Sequence, residues 1–152
     1  MELNFGALID EKVIRFEFPG KDKNEIIKDI AALMYEAGKV TDKDKYAEGV
    51  FEREKECTTG IGKGIAIPHC KSEAVKEASF ALIKLKDSVE WNSLDGKPVN
   101  YVIMLAAPDN GEDEHLRMLS QLARNLMDDD FVDILTHAGT VEEIKNLFMG
   151  GR

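Results

Sequence analysis

The stretch from Val99 to Ala107, VNYVIMLAA, is apolar almost throughout and stops at Pro108. A strand with no polar alternation has no face to give to water, so it must be covered on both sides. That places it at the centre of a sheet with helices above and below. Other stretches supply the neighbours. Lys12 to Phe18 alternates roughly through Val13, Ile14, Phe16 and Phe18, then ends at Pro19-Gly20, and reads as a strand. Ser79 to Lys86 reads the same way, by Phe80, Leu82, Ile83 and Leu85. Only the short stretch Val89 to Gly96, with Trp91 and a turn at Asp95-Gly96, lies between it and the central strand. The two therefore pair antiparallel, and the sheet is mixed.

Helices alternate with these strands. Asp22 stands three residues before Glu25, as in a capping box, and Ile26, Ile27, Ile30, Leu33, Met34 and Ala37 follow at helical spacing to Gly38. Thr41 with Asp44 opens a second helix, with Tyr46, Ala47, Val50 and Phe51 inward and the run Glu52-Arg53-Glu54-Lys55-Glu56 as a solvated polar end. Ser72 to Glu77 is a short helix or turn. After Asp109-Asn110-Gly111, a helix carries Glu112, Asp113 and Glu114 in its first turn, where negative charge suits the dipole. Its face is His115, Leu119, Leu122 and Leu126, which puts His115 at the N-terminal rim. A short helix covers Asp130 to Ala138, and Thr140 with Glu143 caps a last one through Phe148. The opening, Met1 to Asp10, is weakly patterned, with Leu3, Phe5, Leu8 and Ile9 apolar. The expectation is an α/β (α+β) fold: a three-layer single domain over 1–152, with a mixed central sheet and helices on both faces.

Composition narrows function by exclusion. A content of 43 % apolar and 32 % charged residues is that of an ordinary soluble protein. No run approaches a membrane span, and nothing before the first strand reads as a signal peptide. Cys57 and Cys70 are too few for a disulfide framework, and their spacing fits no zinc pattern. A reduced, cytoplasmic setting is expected. The net charge of −9 disfavours nucleic acid and anionic lipid surfaces and favours a partner with a basic face.

The chemistry concentrates in Thr58 to Cys70, TTGIGKGIAIPHC. Gly60, Gly62 and Gly64 lead into a short strand, Ile65-Ala66-Ile67, and Pro68 ends its pairing. His69 then sits just past a strand end, held by the sheet yet within reach of solvent. The glycines match neither a Walker loop nor a dinucleotide fingerprint; their amides make either an anion-binding nest or merely a tight bend. Sites in open α/β sheets gather outside strand ends, so His69 and His115 are expected at one edge. His137, near a helix C-terminus, is structural, and nothing argues reactivity at Cys70.

The run from Glu54 through Gly60-Ile61-Gly62-Lys63-Gly64-Ile65-Ala66-Ile67-Pro68-His69 resembles the phosphorylation-site motif of the fructose/mannitol class of enzyme IIA in the bacterial phosphoenolpyruvate:sugar phosphotransferase system. The similarity extends over essentially the whole chain, including Arg53 before the motif and Glu114-His115-Leu116 after Pro108. Cys70 stands where many relatives have glycine. The resemblance implies a phosphocarrier needing neither metal nor cofactor. His69 accepts a phosphoryl group from the histidine phosphocarrier protein HPr and passes it to a cysteine of an enzyme IIB, for phosphorylation of imported sugar, fructose-type. Membrane contact comes only through the IIB/IIC transporter. The second active-site histidine falls on His115 and the active-site arginine on Arg53. The physical roles agree: a neutral imidazole nitrogen is a nucleophile near neutral pH, and Arg53 and His115 can stabilise charge on the transferring group.

Three alternatives stay open. A regulatory carrier of the nitrogen-related branch receives phosphate but ends in protein–protein control. A metal-dependent hydrolase uses His69, His115 and the carboxylates Glu112, Asp113 and Glu114, against the lack of a close His-x-x-x-His pair. A binding module never carries phosphate.

Overall fold

The computed structural model describes residues 9–109 and 114–149. The apolar positions Leu3, Phe5 and Leu8 lie outside the described residues. A single 3-10 turn, Glu11–Val13, precedes strand β1, Ile14–Phe18. The expected strand thus starts later than Lys12, because the Asp10 carboxylate accepts from the Lys12 amide at 2.9 Å and caps the turn. Helices α1 (Lys23–Glu36) and α2 (Lys43–Glu56) follow. Strands β2 (Gly60–Gly62), β3 (Ile65–Ala66), β4 (His69–Ser72), β5 (Ser79–Val89) and β6 (Val99–Pro108) come next. Helices α3 (Glu114–Leu126), α4 (Asp129–His137) and α5 (Val141–Phe148) complete the order.

The sheet has six strands, in the order β1-β5-β6-β3-β2, with β4 also paired to β6. β5 runs antiparallel to β6 and β2 to β3, while β1 runs parallel to β5 and both β3 and β4 run parallel to β6, so the sheet is mixed as expected. β6 is central. Its residues Tyr101 to Ala107 are buried in succession and divide between two cores. Val99, Val102, Met104 and Ala106 meet α1 and α2, together with Ile26, Ile30, Met34, Tyr46 and Trp91. Tyr101, Ile103 and Leu105 meet α3, α4 and α5, through Met118, Leu122, Phe131, Leu135, Ile144 and Leu147. Each fully buried side chain of this size contributes about 1.5–3 kcal/mol before entropy is subtracted, so both layers hold the sheet.

The helix ends are set by their own sequences. The Asp22 carboxylate accepts from the Glu25 amide at 2.9 Å. At the other end of α1, Gly38 sits at φ +79°, with its N–H on Tyr35 O and the Lys39 N–H on Met34 O. That pair of bonds is a Schellman closure and needs a residue tolerant of positive φ. Thr140 and Glu143 form the expected box at α5. The cap of α2 is Asp42 and not Thr41. Its carboxylate accepts from the Asp44 and Lys45 amides, while the Thr41 hydroxyl and amide both bond Ala74 O. That tether, with the Val40–Val75 bridge, holds 72–77 as a turn with no helix in it.

The glycine stretch makes the tight bend of its two readings, and the strand after it departs from expectation. β2 and β3 form an antiparallel hairpin whose two-residue turn is Lys63-Gly64, at φ +60° and +77°. Positive φ at both central positions is what such a short hairpin turn requires. Pro68 does not end the pairing. Ile65 faces Tyr101, Ala66 faces Val102 and His69 faces Leu105, in one unbroken register. β3 and β4 are therefore one line of chain along β6, interrupted where Pro68 has no N–H to give but still accepts from Leu105 N at 3.0 Å.

Candidate active site

His69 opens β4 and is 7 % exposed, so it is a buried strand residue and not a loop residue beyond a strand end. Its register partner is Leu105, which faces Phe80, and both belong to the core under α3–α5. Register partners share a face, so the imidazole stands on the α3 side while Cys70 turns to the α1–α2 side. Ile67 explains the ring's orientation. Its N–H donates to Thr59 O at 3.0 Å, on the edge away from β6. Its carbonyl lies beyond the last β2 pair, Gly60 with Ala66. His69 folds back two residues and places Nδ1 2.7 Å from Ile67 O. A carbonyl only accepts, so Nδ1 carries the proton and the neutral ring keeps its basic lone pair on Nε2.

The charge state follows. Burial holds the His69 pKa below its ordinary value, against the opposing pull of the Ile67 carbonyl. The Arg53 guanidinium lowers it further, while Glu54 and Glu56 raise it. At neutral pH the ring is therefore neutral and Nε2 is nucleophilic.

Arg53 lies in the last turn of α2, and its Nη1 donates to Cys57 O at 2.8 Å, closing the helix end. The guanidinium has further N–H donors in a fixed plane. The structure thus couples Arg53 to His69 electrostatically. His115 falls in the first turn of α3, whose face carries buried Met118, Leu122 and Leu126 under the same side of the sheet. The side chain of His115 lies outside the described residues, as do Glu112, Asp113 and the side chain of Glu114, the carboxylates of the hydrolase alternative.

Two expectations about the surroundings change. The Gly60 and Lys63 amides are engaged away from His69. Lys63 N bonds Asp95 Oδ2, Gly60 N bonds Thr58 Oγ1, and Lys63 Nζ reaches Leu126 O at the C-terminal end of α3 and Asp129 at the start of α4. The turn therefore sits at the end of α3 opposite the one bearing His115, about 17 Å away by the helix rise. The run Glu52 to Glu56 is not simply a solvated face. The Glu54 side chain is 6 % exposed, pairs with Lys23 Nζ at 2.6 Å and accepts from the Thr59 hydroxyl. A buried carboxylate inside a charge run leaves no mark in the sequence, and neither does the backbone carbonyl of Ile67. Cys70 is buried, with its thiol pushed up to about 12, consistent with an unreactive side chain. His137 bonds Asp133 on its own helix, as a structural residue does. Among the described residues no helix is long and apolar enough to cross a membrane.

Comparison with known proteins gives the family and the fold. Residues 7–150 match the family described as "Phosphoenolpyruvate-dependent sugar phosphotransferase system, EIIA 2". The chain is 35 % identical over 137 residues to the PTS system fructose-specific EIIABC component of Bacillus subtilis, covering 90 % of this chain but 22 % of that protein. It is 33 % identical over 136 residues to the PTS system fructose-specific EIIA component of Haloferax volcanii, covering 90 % of this chain and 88 % of that one. The nitrogen regulatory protein IIA-Ntr from Neisseria meningitidis superposes with a TM-score of 0.86 at 29 % identity, over 95 % of this chain and 98 % of that one. The Escherichia coli complex of enzyme IIAMTL and phosphorylated enzyme IIBMTL shares the fold, with a TM-score of 0.78 at 24 % identity over 93 % of this chain and 97 % of that one. The chain belongs to the EIIA 2 family of the phosphoenolpyruvate-dependent sugar phosphotransferase system, whose members are phosphoryl-transferring components.

Proposed function

We propose that this protein is a sugar phosphocarrier of the fructose type and that His69 Nε2 carries the phosphoryl group. The observation behind this reading is the bond from His69 Nδ1–H to Ile67 O, with burial keeping the ring neutral. The Nε2 lone pair attacks phosphorus on the donor phosphohistidine of HPr. The donor's P–N bond breaks, and the donor imidazole keeps that electron pair. In the second transfer a IIB thiolate attacks the same phosphorus and His69 leaves as neutral imidazole once Nε2 is released. The transferring group spreads charge over its equatorial oxygens, so positioning and electrostatics dominate. Arg53 supplies cationic charge at the site, and His115 orients the group from the first turn of α3. The IIB partner is supported by a relative of this fold that forms a complex with its phosphorylated IIB. The fructose reading is supported by the two fructose-specific relatives.

Incubation with phosphoenolpyruvate, enzyme I and HPr, followed by mass spectrometry, is the test. The wild type gains one acid-labile phosphate and His69→Ala gains none. Phosphate on the folded variant contradicts the assignment. The likeness to IIA-Ntr favours a second reading, a regulatory carrier. Onward transfer to a fructose-type IIB/IIC pair with sugar uptake supports the transport role, and phosphorylation without it supports the regulatory one.

A further inference from the structure

Thr59 is 2 % exposed, and its side chain is fully engaged. Its hydroxyl donates to Glu54 Oε1 and accepts from the Trp91 indole N–H at 3.2 Å. The Thr59 amide lies 3.4 Å from Glu54 Oε2. Glu54 in turn is neutralised by Lys23, whose ammonium also lies 5.5 Å from the centre of the Trp91 ring. A buried carboxylate costs several kcal/mol in desolvation and is retained only with such compensation. What this compensated group holds is the Thr59 backbone. The Thr59 carbonyl accepts the Ile67 N–H, and β2 pairs with β3 no further than Gly60 with Ala66. The next polar group along that edge is the Ile67 carbonyl, which holds His69 Nδ1. Pro68 follows at once. The Thr59 rung is therefore the last backbone restraint on that edge before the carbonyl that fixes the imidazole.

We propose that Thr59, clamped by Glu54, is a positioning residue for His69: it sets the direction of the Ile67 carbonyl and thereby the Nδ1–H tautomer that keeps the lone pair on Nε2. This rests on the phosphocarrier reading for its consequence, but the tautomer itself is independent of any donor. Thr59→Val removes the hydroxyl at nearly constant volume. Loosening that edge weakens the hold on Nδ1, and the ring gains the Nε2–H tautomer, which cannot attack phosphorus through Nε2. A small misplacement of a reacting group costs up to about 100-fold in rate, and about tenfold is expected here, in the first-order step and not in the half-saturating HPr concentration.

The experiment compares wild type, Thr59→Val, Thr59→Ser and Glu54→Gln. The His69 tautomer is read from imidazole 15N shifts above the titration range, and phosphoryl acceptance from HPr is read under single turnover. Support is a shift toward Nε2–H and a slower first-order step in Thr59→Val, restored by Thr59→Ser, with a smaller effect in Glu54→Gln, which keeps one acceptor oxygen. Should Thr59→Val fail to fold, the Glu54→Gln tautomer decides alone: shifted in favour, unchanged against. A wild-type tautomer and rate in folded Thr59→Val overturn the proposal. Tautomer shifts in a protein that never takes phosphate on His69 keep the clamp and overturn the phosphocarrier reading.

Discussion

Arg53 and His69 meet through charge rather than through a bond between them. The guanidinium lowers the His69 pKa, but burial is the larger cause. Arg53→Gln should therefore raise that pKa while leaving it below the ordinary 6.5; a titration of the imidazole C2–H resonance measures both. An unchanged or lower value would remove Arg53 from the site. The sign carries over to stability. The folded state prefers the neutral ring, so His69's contribution is present above its unfolded pKa and is lost as pH falls toward the folded one. Gly49 is a second residue-scale case. It lies mid-helix in α2, a position that costs about 1 kcal/mol relative to alanine. A Cβ there would stand 2.8 Å from Cys70 Sγ. Gly49→Ala is expected to destabilise by about 1–2 kcal/mol net, and much less in a Cys70→Ala background, as chemical denaturation of the double-mutant cycle would show. Additive effects would mean the thiol is not the obstacle. The resemblance places Arg53 beside His69, whereas the Gly49–Cys70 contact leaves no mark in the sequence.

At the scale of elements, sequence patterns read well where one segment determines its own state. The Asp22 and Thr140 caps, the Gly38 closure and the unbroken apolar run of β6 are local facts, and each appears as expected. The misreadings are where a distant partner decides. Thr41 loses the cap of α2 because its hydroxyl bonds Ala74, the same contact that decides for a turn between the two readings of 72–77. Pro68 looked like the end of a strand because its missing N–H is local, whereas the register along β6 that carries the chain past it is not. The motif and its histidine were legible; the strand they belong to was not. The glycines split likewise. Gly64 serves the turn at φ +77°, where an added Cβ would stand 3.0 Å from Asn100 Oδ1. Gly64→Ala should cost about 1–2 kcal/mol in thermal or urea unfolding. Because the turn lies at the end of α3 opposite the one bearing His115, phosphoryl acceptance at full folding should stay at the wild-type rate. A loss of acceptance beyond the loss of folded protein would put the turn in the site.

For the whole molecule, the net charge of −9 sets how partners arrive. A donor with a basic face is steered to such a surface, and screening shortens to about 8 Å at physiological salt. The second-order rate of transfer from HPr should fall steeply with added salt, while the first-order step inside the complex changes little. A salt-independent second-order rate would mean that docking is mainly apolar. Beneath this sits the central claim, that His69 is buried at the head of β4 so that Ile67 holds Nδ1 and the phosphoryl group goes to Nε2. The most direct measurement is the 15N and 31P spectrum of the protein after phosphorylation by HPr, with the imidazole nitrogens labelled. One phosphorus coupled to His69 Nε2, with Nδ1 still protonated, is the predicted result. Phosphorus on His69 Nδ1, or on any other residue, would contradict it.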